Sequence, residues 1–183
     1  MARQQKNTTS GEMETERLRL TPLMMSDADD LHAIWTTPEV REYLWDHRVL
    51  TLAETREIVQ RSQKLFAGQE CGLWTIRQRG DAALLGFCGL WPFEQDPLPE
   101  LLFGLSSSQW GKGIAFEASS AILDHAFQVL GWEYVPSSAD PGNQRSHRLL
   151  ARLGFSRCEC DHAESGAIAY SLNNPAMAHA ETA

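Results

Sequence analysis

Between Gly72 and Leu105 the chain makes three short apolar runs in quick succession: GLWTIRQ (Gly72–Gln78), ALLGFCGLW (Ala83–Trp91) and LPELLFGL (Leu98–Leu105). Each has strand length and is bounded by turn residues. Three strands joined by short turns make an antiparallel meander, and the rest of the fold has to be built around that sheet.

The elements on either side have different periods. RLRLTPL (Arg17–Leu23) alternates apolar and polar residues, as a half-buried strand does. Ser26 with Asp29 resembles a helix start, and the helix is expected to reach Trp35 and stop before Pro38. A turn or short helix follows over Glu39–Leu44. Thr51 and Glu54 form a capping box ahead of a stripe of Leu52, Thr55, Val59, Ser62 and Phe66. After the meander, Ala115, Ala118, Ile122, Ala126 and Val129 recur at helical steps until Gly131. YVPSSA (Tyr134–Ala139) reads as a strand, with Pro136 arguing for an edge. NQRSHRLLARLGF gives a second helix ending at Gly154, and SRCEC and AIAYSL are the last strands. The predicted class is α+β: a mixed, mostly antiparallel central sheet with helices on both faces.

With 183 residues, 43% of them hydrophobic and 22% charged, the chain suits one domain with a substantial core. Residues 1–14 are polar without an apolar h-region and are expected to be a disordered lead-in, residues 15–173 the domain, and residues 174–183 a flexible tail. No apolar run reaches the ~18–20 residues of a membrane span. Net charge is −8, which disfavours nucleic-acid backbones and favours cationic small molecules or basic peptides. Cys71, Cys88, Cys158 and Cys160 form no CxxC pair or disulfide framework, so free thiols in a cytoplasmic protein are expected. Cys158, Cys160, Asp161 and His162 lie close together but lack metal-ligand spacing, so no metal is expected. His125 and His147 sit on helices and are read as surface groups.

The most specific stretch is GLSSSQWGKGIAFEASS (Gly104–Ser120), where a strand hands over to a helix through two glycines flanking a lysine. A helix start has unpaired N–H groups and a partial positive charge, so it can hold an anion. Glycines allow close backbone approach, and Lys112 adds a full charge. Two common phosphate motifs do not fit. A Walker loop needs four residues between its first glycine and Gly-Lys, but six separate Gly104 from Gly111, and no Ser or Thr follows Lys112. A dinucleotide GxGxxG fails because Phe116 stands where the third glycine belongs.

Three segments, TERLRLTPL, PELLFGLSSSQWGKGIAFEA and DPGNQRSHRLLARLGF, occur in order at the spacing of the GNAT superfamily of acetyl-CoA-dependent N-acetyltransferases, and the chain resembles its RimJ/RimL type from Glu16 to Leu172. The resemblance implies a GNAT fold and acetyl transfer from acetyl-CoA to a primary amine. The acceptor would be a protein N-terminus or a small amine. It further implies that backbone amides over Gly111, Lys112, Gly113, Ile114 and Ala115 hold the CoA pyrophosphate. Trp110 departs from the Arg or Gln usual at its position. Leu105 would bond the pantetheine through its backbone, and Asn143 would meet it through its side-chain amide. Glu100, in an apolar strand, is the candidate base for the amine, directly or through water. The tyrosine that many GNAT enzymes use as acid is replaced by Leu150, and Ser146 is the serine that the RimJ/RimL type has nearby. Trp35, Trp45 and Trp91 are read as mostly core, and the resemblance implies that Trp45 and Trp91 also rim the acceptor groove. Homodimers are frequent in this type. A non-catalytic CoA-binding or scaffolding protein of the same fold is the alternative. The acidic charge and the lack of an evident basic stripe argue against nucleic acid.

Overall fold

The computed structural model describes residues 11–45, 48–93, 98–158 and 166–177. In chain order the elements are β1 (Met13–Glu14), β2 (Leu18–Pro22), α1 (Ala28–Trp35), α2 (Pro38–Arg41), α3 (Leu52–Gln69), β3 (Leu73–Gln78), β4 (Leu84–Trp91), β5 (Glu100–Leu105), α4 (Ile114–Gln128), β6 (Tyr134–Ala139), α5 (Gln144–Leu153), β7 (Ser156–Arg157) and β8 (Ile168–Asn173). Strands β1 to β5 form one antiparallel sheet in sequence order. A second sheet has the order β6-β8-β7. The α+β class and the predicted meander are both present.

The first sheet is apolar on both faces and so is covered on both. Trp74, Ile76, Cys88 and Leu90 pack with Ala118 and Ile122 of α4. Leu73, Phe87 and Trp91 pack with Leu31 and Trp35 of α1 and Val59 of α3. A register shift opposite Ile76 and Arg77 reverses the alternation within β4. Gly86 at this point has no room for a side chain, because a Cβ would lie 2.2 Å from the Gly104 carbonyl oxygen.

No backbone ladder joins β5 to β6 among the described residues. Serine side chains bridge the two strands. Ser137 Oγ donates to the Leu101 carbonyl at 3.0 Å, and Ser138 Oγ donates to Glu100 Oε2 at 2.7 Å. Pro136 lies in β6, at the edge of its sheet, as its missing N–H requires.

Several expectations are corrected. Within the segment expected to be a disordered lead-in, Met13 and Glu14 pair with β2, Met13 is buried, and the Gly11 carbonyl accepts from Trp74 Nε1 at 2.7 Å. The helix start near Ser26 is instead a 3-10 turn over Met25–Asp27, in which Asp27 accepts from the Met24 N–H at 2.8 Å. Asp27 is buried because Arg77 pairs with it at 2.7 Å. His125 is not a surface group. It is buried edge-on against Trp74, and its Nε2–H donates to the Glu70 carbonyl at 2.9 Å. His147 is half-buried, with Nδ1 2.8 Å from the Tyr170 hydroxyl. Of the cluster Cys158, Cys160, Asp161 and His162, only Cys158 lies within the described residues.

Candidate active site

The hand-over from β5 to α4 is a 3-10 turn over Ser107–Gln109, then Trp110, then two glycines in the left-handed region, Gly111 at φ 75° and Gly113 at φ 77°. An L side chain is strained there, which explains the glycines. Gly113 is the N-cap of α4 and offers no side-chain cap. The N–H groups of Ile114, Ala115 and Phe116 therefore have no acceptor within their own helix. They lie at a cleft of about 460 Å³ between α4 and α5, which Leu105, Trp110, Gly111, Gly113, Asn143 and Ser146 also line.

Trp110 pins this loop to the strand it leaves. Its Nε1–H donates to the Leu105 carbonyl at 3.1 Å, and the Arg145 guanidinium lies 4.3 Å from its ring centroid. One lone pair of the carbonyl expected to meet pantetheine is thus already engaged. Asn143 caps α5, its Oδ1 accepting from the Ser146 N–H at 3.1 Å. That bond leaves the Nδ2 donors of Asn143 for the cleft. Lys112 does not line this cleft: its Nζ donates to Gln109 Oε1 at 3.1 Å, along a second groove behind the loop. Ile114 is buried and also lines the cleft.

Glu100 is brought to a different place. It starts β5, five residues before Leu105, is only 7% exposed, and does not line the cleft. Its partner Ser138 is exposed near the end of β6, which leads through Asp140–Gly142 to Asn143. Trp45 and Trp91 do not line the cleft either. They join Trp35 in an edge-on cluster with centroids 5.1 and 6.1 Å apart, and Trp91 is buried against Phe87 and α1, so core packing claims most of their surface.

Other lining residues went unnoticed in the sequence. Arg145, Arg148 and Arg152 lie along one side of α5 and all line the cleft. Their steps of three and four in NQRSHRLLARLGF were the available signal. So this acidic chain does carry a local basic row. Arg152 stacks over Phe116 at 4.0 Å. The opposite wall holds Glu39, Val40, Tyr43 and Leu44. A hydrogen bond donated to the Glu42 carboxylate, then burial, then the charges of Glu42 and Asp140 raise the Tyr43 hydroxyl above its ordinary value, with Arg145 opposing. Tyr43 therefore stays protonated at neutral pH.

A cleft with a helix N-terminus and a basic row at one end suits a polyanionic cofactor. Residues 17–156 match the model of the acetyltransferase (GNAT) domain. The chain belongs to the GNAT acetyltransferase family. It is 28% identical over 144 residues to the N-acetyltransferase p20 of Bacillus licheniformis, covering 78% of this chain and 81% of p20. An acetyltransferase from Agrobacterium tumefaciens superposes with a TM-score of 0.81 at 22% identity, over 94% of this chain and 99% of that one. RimL, a ribosomal L7/L12 alpha-N-protein acetyltransferase solved with coenzyme A, superposes at 0.73 with 19% identity, over 87% of this chain and 95% of RimL. As a GNAT member the chain is an acyltransferase of RimJ/RimL-like fold. Among the described residues no helix is long and apolar enough to cross a membrane.

Proposed function

We propose that this acyltransferase moves the acetyl group of acetyl-CoA directly to a primary amine, a protein N-terminus or a small amine. The observation that carries the reading is the cleft itself, in which Gly111, Gly113, Ile114, Ala115, Asn143, Ser146 and the α5 arginines converge. The amides of Gly111–Ala115 hold the pyrophosphate, the arginines offset phosphate charge, and Leu105 and Asn143 guide the pantetheine. The acetyl group then arrives between Ser146 and the Glu39–Leu44 wall.

The amine nitrogen attacks the thioester carbon, forming C–N and breaking C–S. An α-amino group has pKa ~7.7–8.0 and a lysine ~10.4, so the attacking amine has to lose a proton. Glu100 is the proposed acceptor of that proton, directly or through water. The sulfur leaves as thiolate at the N-terminus of α5, where the helix dipole and the Ser146 hydroxyl favour its charge. No acyl-enzyme is needed. Burial pushes the Cys71 and Cys88 thiols up to about 11 and about 12, which makes both poor nucleophiles.

Glu100 lying outside the cleft is the observation that favours a non-catalytic CoA-binding protein. Acetyl-CoA with peptides, amino acids, polyamines and aminoglycosides separates the two. Amine-dependent release of CoA with an acetylated product supports transfer. Tight acetyl-CoA binding without release for any amine class would turn the reading to a binding protein.

A further inference from the structure

The back of the Gly111–Gly113 loop is held by a residue 95 positions earlier in the chain. Arg17, just before β2, donates from Nη1 to the Lys112 carbonyl at 3.1 Å. Its Nη2 is 3.4 Å from where a Gly113 Cβ would stand. Arg17 is itself fixed by Glu117 in the first turn of α4: Nε donates to Oε2 at 2.6 Å and the Arg17 backbone N–H to Oε1 at 2.8 Å. Thr15 Oγ1 adds a bond to the same Oε1 at 2.5 Å. The Glu117 side chain is 13% exposed and Arg17 49%, so the pair is anchored on its carboxylate side.

A trans peptide points its C=O and N–H in opposite directions. The Lys112 side chain and Arg17 both belong to the groove behind the loop. Fixing the Lys112 carbonyl on that side turns the Gly113 N–H towards the cleft in front. Without the guanidinium, left-handed glycines on both sides of Lys112 leave that peptide free to rotate. We infer that Arg17, braced by Glu117, is a positioning residue for acetyl-CoA: it orients the Lys112–Gly113 peptide so that its N–H meets the pyrophosphate. The inference rests on the proposed acetyl-CoA reading of the cleft. Arg17 and Glu117 cancel in net charge, so the effect is one of orientation and not of added positive potential.

The test is calorimetric titration of the full chain with acetyl-CoA and with acetyl-3'-dephospho-CoA, which keeps the pyrophosphate but lacks the 3'-phosphate. Wild type, Arg17→Lys, Arg17→Ala and Glu117→Gln are compared, with thermal unfolding to identify folded variants. Arg17→Lys keeps the charge and cannot hold both partners, so it serves even where the alanine variant does not fold. The expected result is a loss of roughly five- to tenfold on both ligands alike for Arg17→Lys, and a loss for Glu117→Gln as well. Unchanged affinity in folded Arg17→Lys overturns the inference and leaves the acetyl-CoA reading standing. A loss confined to acetyl-CoA overturns it in favour of direct contact with the 3'-phosphate. Tighter binding by Glu117→Gln overturns it in favour of a simple charge effect. A wild-type chain that binds neither ligand overturns both this inference and the reading beneath it.

Discussion

At its loop end the cleft is lined by Gly111, Gly113, Ile114 and Ala115, a backbone turn set by two left-handed glycines, whereas the opposite wall is lined by Glu39, Tyr43 and Leu44 on a four-residue helix and the turn after it. A backbone site depends on chain conformation, and conformation leaves a mark in sequence as glycine spacing and a strand-to-helix change of period. A side-chain wall leaves no such mark, because any residue can stand on a turn. The two ends also differ in what braces them. The loop is held by Arg17, Glu117 and Trp110 through named hydrogen bonds. Glu100, the proposed base, is tied to the rest of the chain through β6.

The sharpest way to break this comparison is at Glu100. Glu100→Gln keeps the shape and the bond from Ser138 while removing the base. A general base contributes roughly 10²–10⁴ in rate, so turnover falls by that order while acetyl-CoA affinity stays near wild type. Raising the pH from 7 to 9 partly rescues the rate, since more amine is already neutral. Wild-type turnover in the variant across that range would show that Glu100 serves only to join β5 to β6.

At the loop end the matching variant is Gly113→Asp. It puts an L side chain at φ 77°, on the Arg17 side of the loop with its Cβ 3.4 Å from Nη2, so the backbone is strained and a carboxylate there would draw Arg17 off the Lys112 carbonyl that it holds. Acetyl-CoA affinity is expected to fall by roughly tenfold or more, about 1.4 kcal/mol or above, with the fold retained. Calorimetry on folded protein checks it, and unchanged affinity would remove the pyrophosphate from this loop.

Ser146 stands between the two ends. Its backbone N–H is committed to Asn143, so Ser146→Ala preserves the cap and removes only the hydroxyl. Turnover is expected to slow by ~10-fold, about 1.4 kcal/mol, less than for Glu100→Gln, because the start of α5 already favours a thiolate. With an acetyl thioester of a more acidic thiol the loss should shrink. An equal loss on both thioesters would assign Ser146 to cofactor positioning. Leu150→Tyr is not expected to restore an acid, since Leu150 is fully buried in the core and a phenol would overpack it.

What could be read in the sequence follows the same division. The meander, α3 with its Thr51–Glu54 box, and the glycine loop were legible, because each rests on local pattern. The burial of His125 was not, since it depends on a Glu70 carbonyl 55 residues away. Nor was β1, a two-residue strand that exists only through pairing with Leu20 and Arg19. The arginine row of α5 was present in the spacing but hidden behind a net charge of −8, which says nothing of where charges gather. The core role of Trp35, Trp45 and Trp91 was legible from their size and apolar character, but the T-shaped packing of the three was not, since it comes from chain segments that only the tertiary fold unites.

The smallest effect concerns the brace behind the loop and appears in stability against pH. Burial alone would raise the Glu117 carboxyl, but the bonds from Thr15 and Arg17 outweigh it and hold the group below its ordinary value. A carboxylate with a depressed folded-state pKa contributes stability that is fully present above its unfolded value of about 4.3 and lost as pH falls through the folded value. Glu117→Gln should therefore unfold at a lower temperature than wild type at pH 7, and the difference should narrow as pH drops below about 4. With Arg17 half exposed, solvent screening keeps the whole effect small, and added salt should reduce it further. Thermal unfolding of both proteins from pH 7 to pH 3 checks the sign. A gap that stays constant across that range would mean that Glu117 holds the loop by shape alone, with its ionisation contributing nothing to the brace.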